Sequence, residues 1–166
     1  MLFNHTQIEK IVFWLMGSVS AASWNQVIVI VPIVIVGTIG IGIFSKDLNI
    51  MLLGEESANS LGIEVEKVKK ILLFISSMIV ASAVSVSGII GFVGLIIPHT
   101  VRLLMGPDNR VLIPFSALGG AVFMILADTL ARTAIPPTEL PVGVITSLFG
   151  APYFIYLLVK TKKKAA

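Results

Sequence analysis

Cysteine is absent from this chain, histidine occurs twice, and charged residues make up only 13% of it. Without cysteine there is no disulfide framework, no thiolate metal site and no cysteine nucleophile. His5 and His99 stand in no HExxH or comparable spacing, so a zinc enzyme is disfavoured and no metal site is expected. No GxxxxGK[ST] occurs, hence no phosphate-cradling loop and no ATPase of the chain's own. The glycines of VGTIGIG miss the GxGxxG spacing and lie inside an apolar run, which excludes a dinucleotide fold. The start, MLFNHTQIEK, lacks the basic opening and small-residue cleavage site of a signal peptide. The net charge is +3 and the pI about 9.3, but the basic residues lie between apolar runs instead of on one face, so no nucleic acid partner is expected.

What is plentiful is apolar residues, at 56%, with a mean hydropathy of +1.00. Soluble domains carry about 25% charge and about 45 to 50% apolar residues. The 166 residues therefore read as one membrane domain, all-α, because lipid leaves backbone groups no partner outside a helix or a closed barrel. Residues 11–22, with Trp14 and Trp24 nearby, are too short to span and read as a re-entrant or surface helix. Residues 27–44 form an uncharged span with Pro32 inside it. Residues 45–70 hold nine charged side chains and must lie in water. Residues 71–86 form a second span. A break near Gly88 precedes a third, short span that ends near Arg102. Gly88, Gly91 and Gly94, every third residue, are expected to permit close helix or loop contact. After Gly106-Pro107-Asp108-Asn109, residues 111–127 make a fourth span, and residues 142–159 a fifth after Pro136-Pro137.

Charge then orients the spans. If 45–70 is cytoplasmic, Arg102, Arg110 and the lysines at 160, 162, 163 and 164 share that side, Lys10 and Arg132 lie outside, and ten of twelve basic residues are inside. With a fragmentary opening helix and five spans at most, the chain reads as a portion of a larger membrane domain.

Three groups of residues invite a role. Asp128 and Arg132, four apart, share a helix face at the membrane edge, with Glu139 as a second partner for Arg132. Charges at that depth mark function by default, although a structural salt bridge explains them equally well. His99, after Pro98, fits a histidine held within a helix bundle better than a ligand. In the polar loop, GEESANSLG reads as a short helix with Glu55 and Glu56 at its positive end and Gly62 as a left-handed cap; IEVEKVKK, with Glu66 and Lys70 at i, i+4, runs on into the next span. Two such helices make either a docking platform or a solvated connector.

GIIGFVGLIIPHTVRLLMGPDNRVLIPFSALGG, LADTLART, ELPVGVITSLFGAPYFIYLLVK and MLLGEESANSLGIEVEKVKK resemble the signature stretches of the FecCD family. These are permease subunits of binding-protein-dependent ABC importers for iron chelates, haem and cobalamin. The likeness runs from about Trp14 onward and corresponds to the C-terminal half of a ten-helix bundle. It implies two permease subunits in a homodimer around a central path in the cytoplasmic membrane, and a cytoplasmic ATPase dimer that uses ATP and Mg. It also implies an extracytoplasmic binding protein, and no cofactor on this chain. The resemblance makes Gly54, Glu55, Glu56, Ala58, Leu61 and Gly62 the coupling loop against the ATPase, and Arg132 a docking residue for acidic groups of the binding protein. Ala58 and Leu61 are then expected to enter a groove on the ATPase, and Asn49, which precedes the helix, to matter much less. A transport subunit is preferred to an intramembrane enzyme, for which a catalytic dyad or metal cluster is missing, and to an inactive structural fragment. Among iron siderophore, haem and cobalamin the residues do not choose.

Overall fold

A computed structural model describes residues 14–20, 22–135 and 139–165, with backbone alone for Leu158 and residues 161–165. These residues form seven helices: α1 (Trp24–Ile43), α2 (Ser45–Met51), α3 (Glu55–Ser60), α4 (Val65–Ser87), α5 (Val93–Met105), α6 (Asn109–Thr133) and α7 (Val142–Ala165). Three of them, α1, α4 and α6, are long and apolar enough to cross a membrane. At 1.5 Å per residue they measure about 30 to 37 Å, against a hydrocarbon core of about 30 Å.

The third apolar stretch is short and follows a break at Gly88, as expected. Its helix, α5, has 13 residues and reaches only about 20 Å. The chain cannot stay helical earlier because Gly88 (φ 66°) ends α4 and Phe92 (φ 67°) starts α5 from the left-handed region. Phe92 is the only non-glycine residue described in that region, and Gly150 makes room for it: a Cβ there would run into the Phe92 side chain. Of the opening stretch, Trp14 and Leu15 are helical and residues 17–19 are not; residues 11–13, like Lys10 and Pro136-Pro137, lie outside the described residues.

The helices alternate in direction, so the molecule has two ends. At one, the Gly17 N–H donates to the Trp14 carbonyl (3.2 Å), the Ser18 N–H to Ser87 (2.9 Å) and the Gly143 N–H to Gly17 (3.1 Å). Gly17, Gly88 and Gly143 allow this three-way backbone approach, since a Cβ on any of them would collide with a carbonyl of Ile89, Trp14 or Met16 respectively. The core sits just beneath, in Ala127, Ala131, Val142 and Ile145, flanked by Val19, Ile90, Met124 and Leu140. At the other end lie α2, α3 and the 106–108 turn.

Between the ends, α1 packs on α4, and α6 packs on α5 and α7. α1 buries no residue, and Trp24, Ile28 and Val36 are 67 to 82% exposed. A helix apolar on every side and covered by its own chain only in part, chiefly where it meets α4, turns its other faces to lipid or to other transmembrane helices.

Candidate functional site

The segment from Ser45 to Glu64 carries more structure than a solvated connector. α2, which the sequence reading passed over, starts one residue after α1, and its Ser45 is buried. α3 is closed by a Schellman motif: the Gly62 N–H donates to Asn59 (2.9 Å) and the Ile63 N–H to Ala58 (3.1 Å), with Gly62 at φ 83°. Glu55 and Glu56 occupy its first turn, where the free N–H groups favour negative charge. Glu55 also reaches Lys69 on α4 at 2.6 Å, while Glu64 meets Lys67 at 3.5 Å. The spacing of Glu66 and Lys70 yields no ion pair between them. Both instead line a groove of about 530 Å³ between α3 and α4.

Ala58 requires a correction. It is fully buried by its own chain, in a helix that packs on both α2 and α4, and so has no surface to offer a partner. The apolar groups that do face outward are Leu52 (61% exposed), Leu53 (71%) and Leu61 (66%). Gly54, at φ 109°, precedes α3 with open space around it.

Asn49 also departs from expectation, because it is the centre of a polar bracket. Its Nδ2 donates to Asp108 Oδ1 (2.6 Å), and its Oδ1 accepts both the backbone N–H and the Nδ2 of Asn109 (2.8 Å each). Asp108 caps α6 by accepting the Arg110 N–H at 3.0 Å. That backbone bond and the Asn49 amide hold the Asp108 carboxyl below its usual value. The GPDN turn announced the cap; nothing local announces a partner 59 residues away.

At the opposite end, Arg132 Nε lies 2.8 Å from Asp128 Oδ2, and its Nη1 3.8 Å from Glu139 Oε1. All three side chains are at least partly exposed, with Arg132 at 42%. Exposed pairs of this kind are weak and salt-screened, so the guanidinium can turn to another carboxylate at little cost. Among the described residues Arg132 is the only basic side chain at this end. Lys46, Lys67, Lys69, Lys70, Arg102, Arg110 and Lys160 lie toward the other.

Of the three spaced glycines, Gly88 alone makes a close contact. Among the described residues nothing lies within 4 Å of a Cβ built on Gly91 or Gly94. The three-residue spacing made no stripe because the backbone around Gly88 and Gly91 is not helical. His99 stands edge-on to Tyr153, ring centres 6.2 Å apart, in a cleft of about 340 Å³ that Gly94, Arg102 and Phe154 also line. Among the described residues no three His, Cys, Asp or Glu side chains gather to hold a metal.

Alternating apolar helices, with a folded polar segment at one end and a small charge cluster at the other, define a multi-pass membrane bundle. Residues 1–160 match the FecCD transport family, and the chain belongs to it. It is 48% identical over 152 residues to the cobalamin import system permease protein BtuC of Halobacterium salinarum, covering 92% of this chain and 41% of the relative. To the hemin transport system permease protein HmuU of Yersinia pestis it is 42% identical over 162 residues, covering 95% and 47%. A solved inward-facing structure of an ABC transporter assigned to the metal-chelate type superposes with a TM-score of 0.88 at 35% identity, over 95% of this chain and 51% of that one. The chain thus spans about half the length of the proteins it matches.

Proposed function

We propose that this chain forms the C-terminal half of the membrane-spanning subunit of an ABC importer. In this reading, cytoplasmic ATPases drive the bundle between inward-open and outward-open forms, and a chelated metal, haem or cobalamin delivered by an extracytoplasmic binding protein passes inward. The observation that carries it is the superposition of nearly the whole chain on half of a transporter of that kind. The substrate class follows relatives whose names specify cobalamin, hemin and iron(3+)-hydroxamate import.

The sidedness of the charges supports the orientation. With α2, α3 and the C-terminus in the cytoplasm, the basic residues obey the positive-inside rule and Arg132 faces the binding protein. The ATPase contact then consists of Leu52, Leu53 and Leu61, with Glu55 and Glu56 at its rim and Gly54 and Gly62 as the hinges of α3. Two permease subunits, as a homodimer, enclose the path. ATP and Mg act in the partner ATPase.

The test is uptake by the assembled transporter that contains this chain, in a strain lacking its own importers, offered labelled cobalamin, haem and ferric hydroxamate in competition. Uptake of one of the three that stops with a hydrolysis-dead ATPase is the expected result. No ATPase-dependent uptake of any would overturn the reading. A single cysteine at Asn59 should label from the cytoplasm and one at Ala134 from outside; the reverse would overturn the orientation.

A further inference from the structure

We infer that α6 is the mechanical link between the ATPase face and the binding-protein face, with the Asn49–Asp108 bracket as its joint; this rests on the proposed function. The folded segment from Ser45 to Glu64 must pass any push it receives to the spans. It is covalently continuous with α1 and α4. Among the described residues, its one side-chain hydrogen-bonded connection to any other span is Asn49 on the start of α6.

Both polar ends of the Asn49 amide are engaged there, and the Asp108 oxygen that it binds is the same atom that caps α6. A displacement of α2 therefore acts directly on the helix terminus. The last turn of α2 closes on its own carbonyls, Leu52 to Leu48, Leu53 to Ile50 and Gly54 to Met51, and α3 packs against α2 across the Gly54 hinge.

From Asn109, α6 runs for 25 residues, about 37 Å, to Arg132 in its last turn, its backbone ladder missing one bond at Pro114. Its far end is fixed by Ala127 and Ala131 in the core and by the Leu140 N–H on the Ala131 carbonyl (3.1 Å). One helix thus carries the coupling joint at its first residue and the docking charge at its last turn. Asn49 acts as a positioning residue, touching neither nucleotide nor substrate.

The experiment measures the affinity of the binding protein for the assembled transporter in detergent, with and without a non-hydrolysable ATP analogue. Coupled sites typically shift one another about 5- to 150-fold, and the shift is reciprocal. In Asn49→Ala this nucleotide-dependent shift should fall to within about twofold of none, with nucleotide-free docking and basal hydrolysis unchanged. Arg132→Glu should weaken docking in both states. Asn49→Cys with Asn109→Cys, bridged by a short thiol cross-linker, should restore the shift that the unbridged pair has lost. A full shift in Asn49→Ala overturns the inference and leaves the transporter reading intact. So does a fall in docking, hydrolysis and shift together that bridging does not reverse, since that is plain destabilisation. No nucleotide-dependent docking in the unmodified complex, with uptake absent as well, overturns both.

Discussion

The two ends of this molecule are held together by different means. At the end with Gly17, Gly88 and Gly143, three segments touch backbone to backbone, with a small apolar core beneath them. At the end with α2 and α3, contact between remote segments runs through polar side chains, from the half-buried Asn49 to Asp108 and Asn109, and from the exposed Glu55 to Lys69. Backbone contact without side chains leaves no room to slide, because every small displacement meets a carbonyl. Side-chain hydrogen bonds hold their partners together while allowing small changes of length and angle, so they can pass on a movement. The stiff end is suited to presenting Arg132 in a fixed place, and the adaptable end to a partner that moves.

The comparison breaks most severely at Gly88 and Gly143. Gly88→Leu combines a backbone conformation (φ 66°, ψ −162°) that is essentially confined to glycine, worth about 1 to 3 kcal/mol against an L side chain, with collision on the Trp14 carbonyl. Gly143→Leu meets the Met16 carbonyl. Both should abolish folded yield in detergent, judged by size-exclusion chromatography; a monodisperse Gly88→Leu protein would show that this end is not tightly held.

A graded effect is expected at Ala58. Ala58→Leu overpacks the buried side of α3 and should cost about 1 to 3 kcal/mol, read as local proteolysis between α2 and α4. Leu53→Asp, on the exposed side, should leave that proteolysis unchanged and weaken ATPase association instead. The same pattern from both variants would erase the distinction between buried and outward faces of α3.

Smaller still is the charge cluster. Arg132→Glu should weaken docking of the binding protein more at low salt than at high salt, since exposed charges are screened over about 10 Å at 0.1 M. Unchanged affinity and salt slope would leave Arg132 with its intrachain partners alone.

Acid tests the polar end. Asp108 titrates below its usual value, so its contribution is complete above the unfolded value of about 3.9 and is lost only as pH falls through the lowered one. Proteolytic access to the 45–64 segment should thus stay flat from about pH 8 to about pH 5; a rise in that window would mean the bracket depends on another group. The least effect is assigned to Gly94→Ala. It adds a methyl into open space in a helix and should stabilise by about 0.4 to 1 kcal/mol. A loss of stability would reveal a neighbour outside the described residues.

The apolar runs and the cap signals were enough to locate α1, α4, α6 and α7, with helix ends missed by up to six residues, because a long apolar run is a local property of composition and length. The same holds for Gly62, whose left-handed cap closes a motif contained in six residues, and for Asp128 with Arg132, neighbours on a single helix. What the sequence could not decide was anything set by two remote segments meeting. Ala58 read as a contact surface, yet the packing of α3 against the neighbouring helices buries it completely. Gly91 and Gly94 looked equivalent to Gly88, yet only Gly88 meets another backbone. Asn49 resembled any polar residue of a loop until the 106–108 turn was brought beside it. Spacing along the chain fixes what lies on one helix face, whereas contacts between helices depend on how far each has turned and tilted when it arrives, and that is decided in three dimensions by packing.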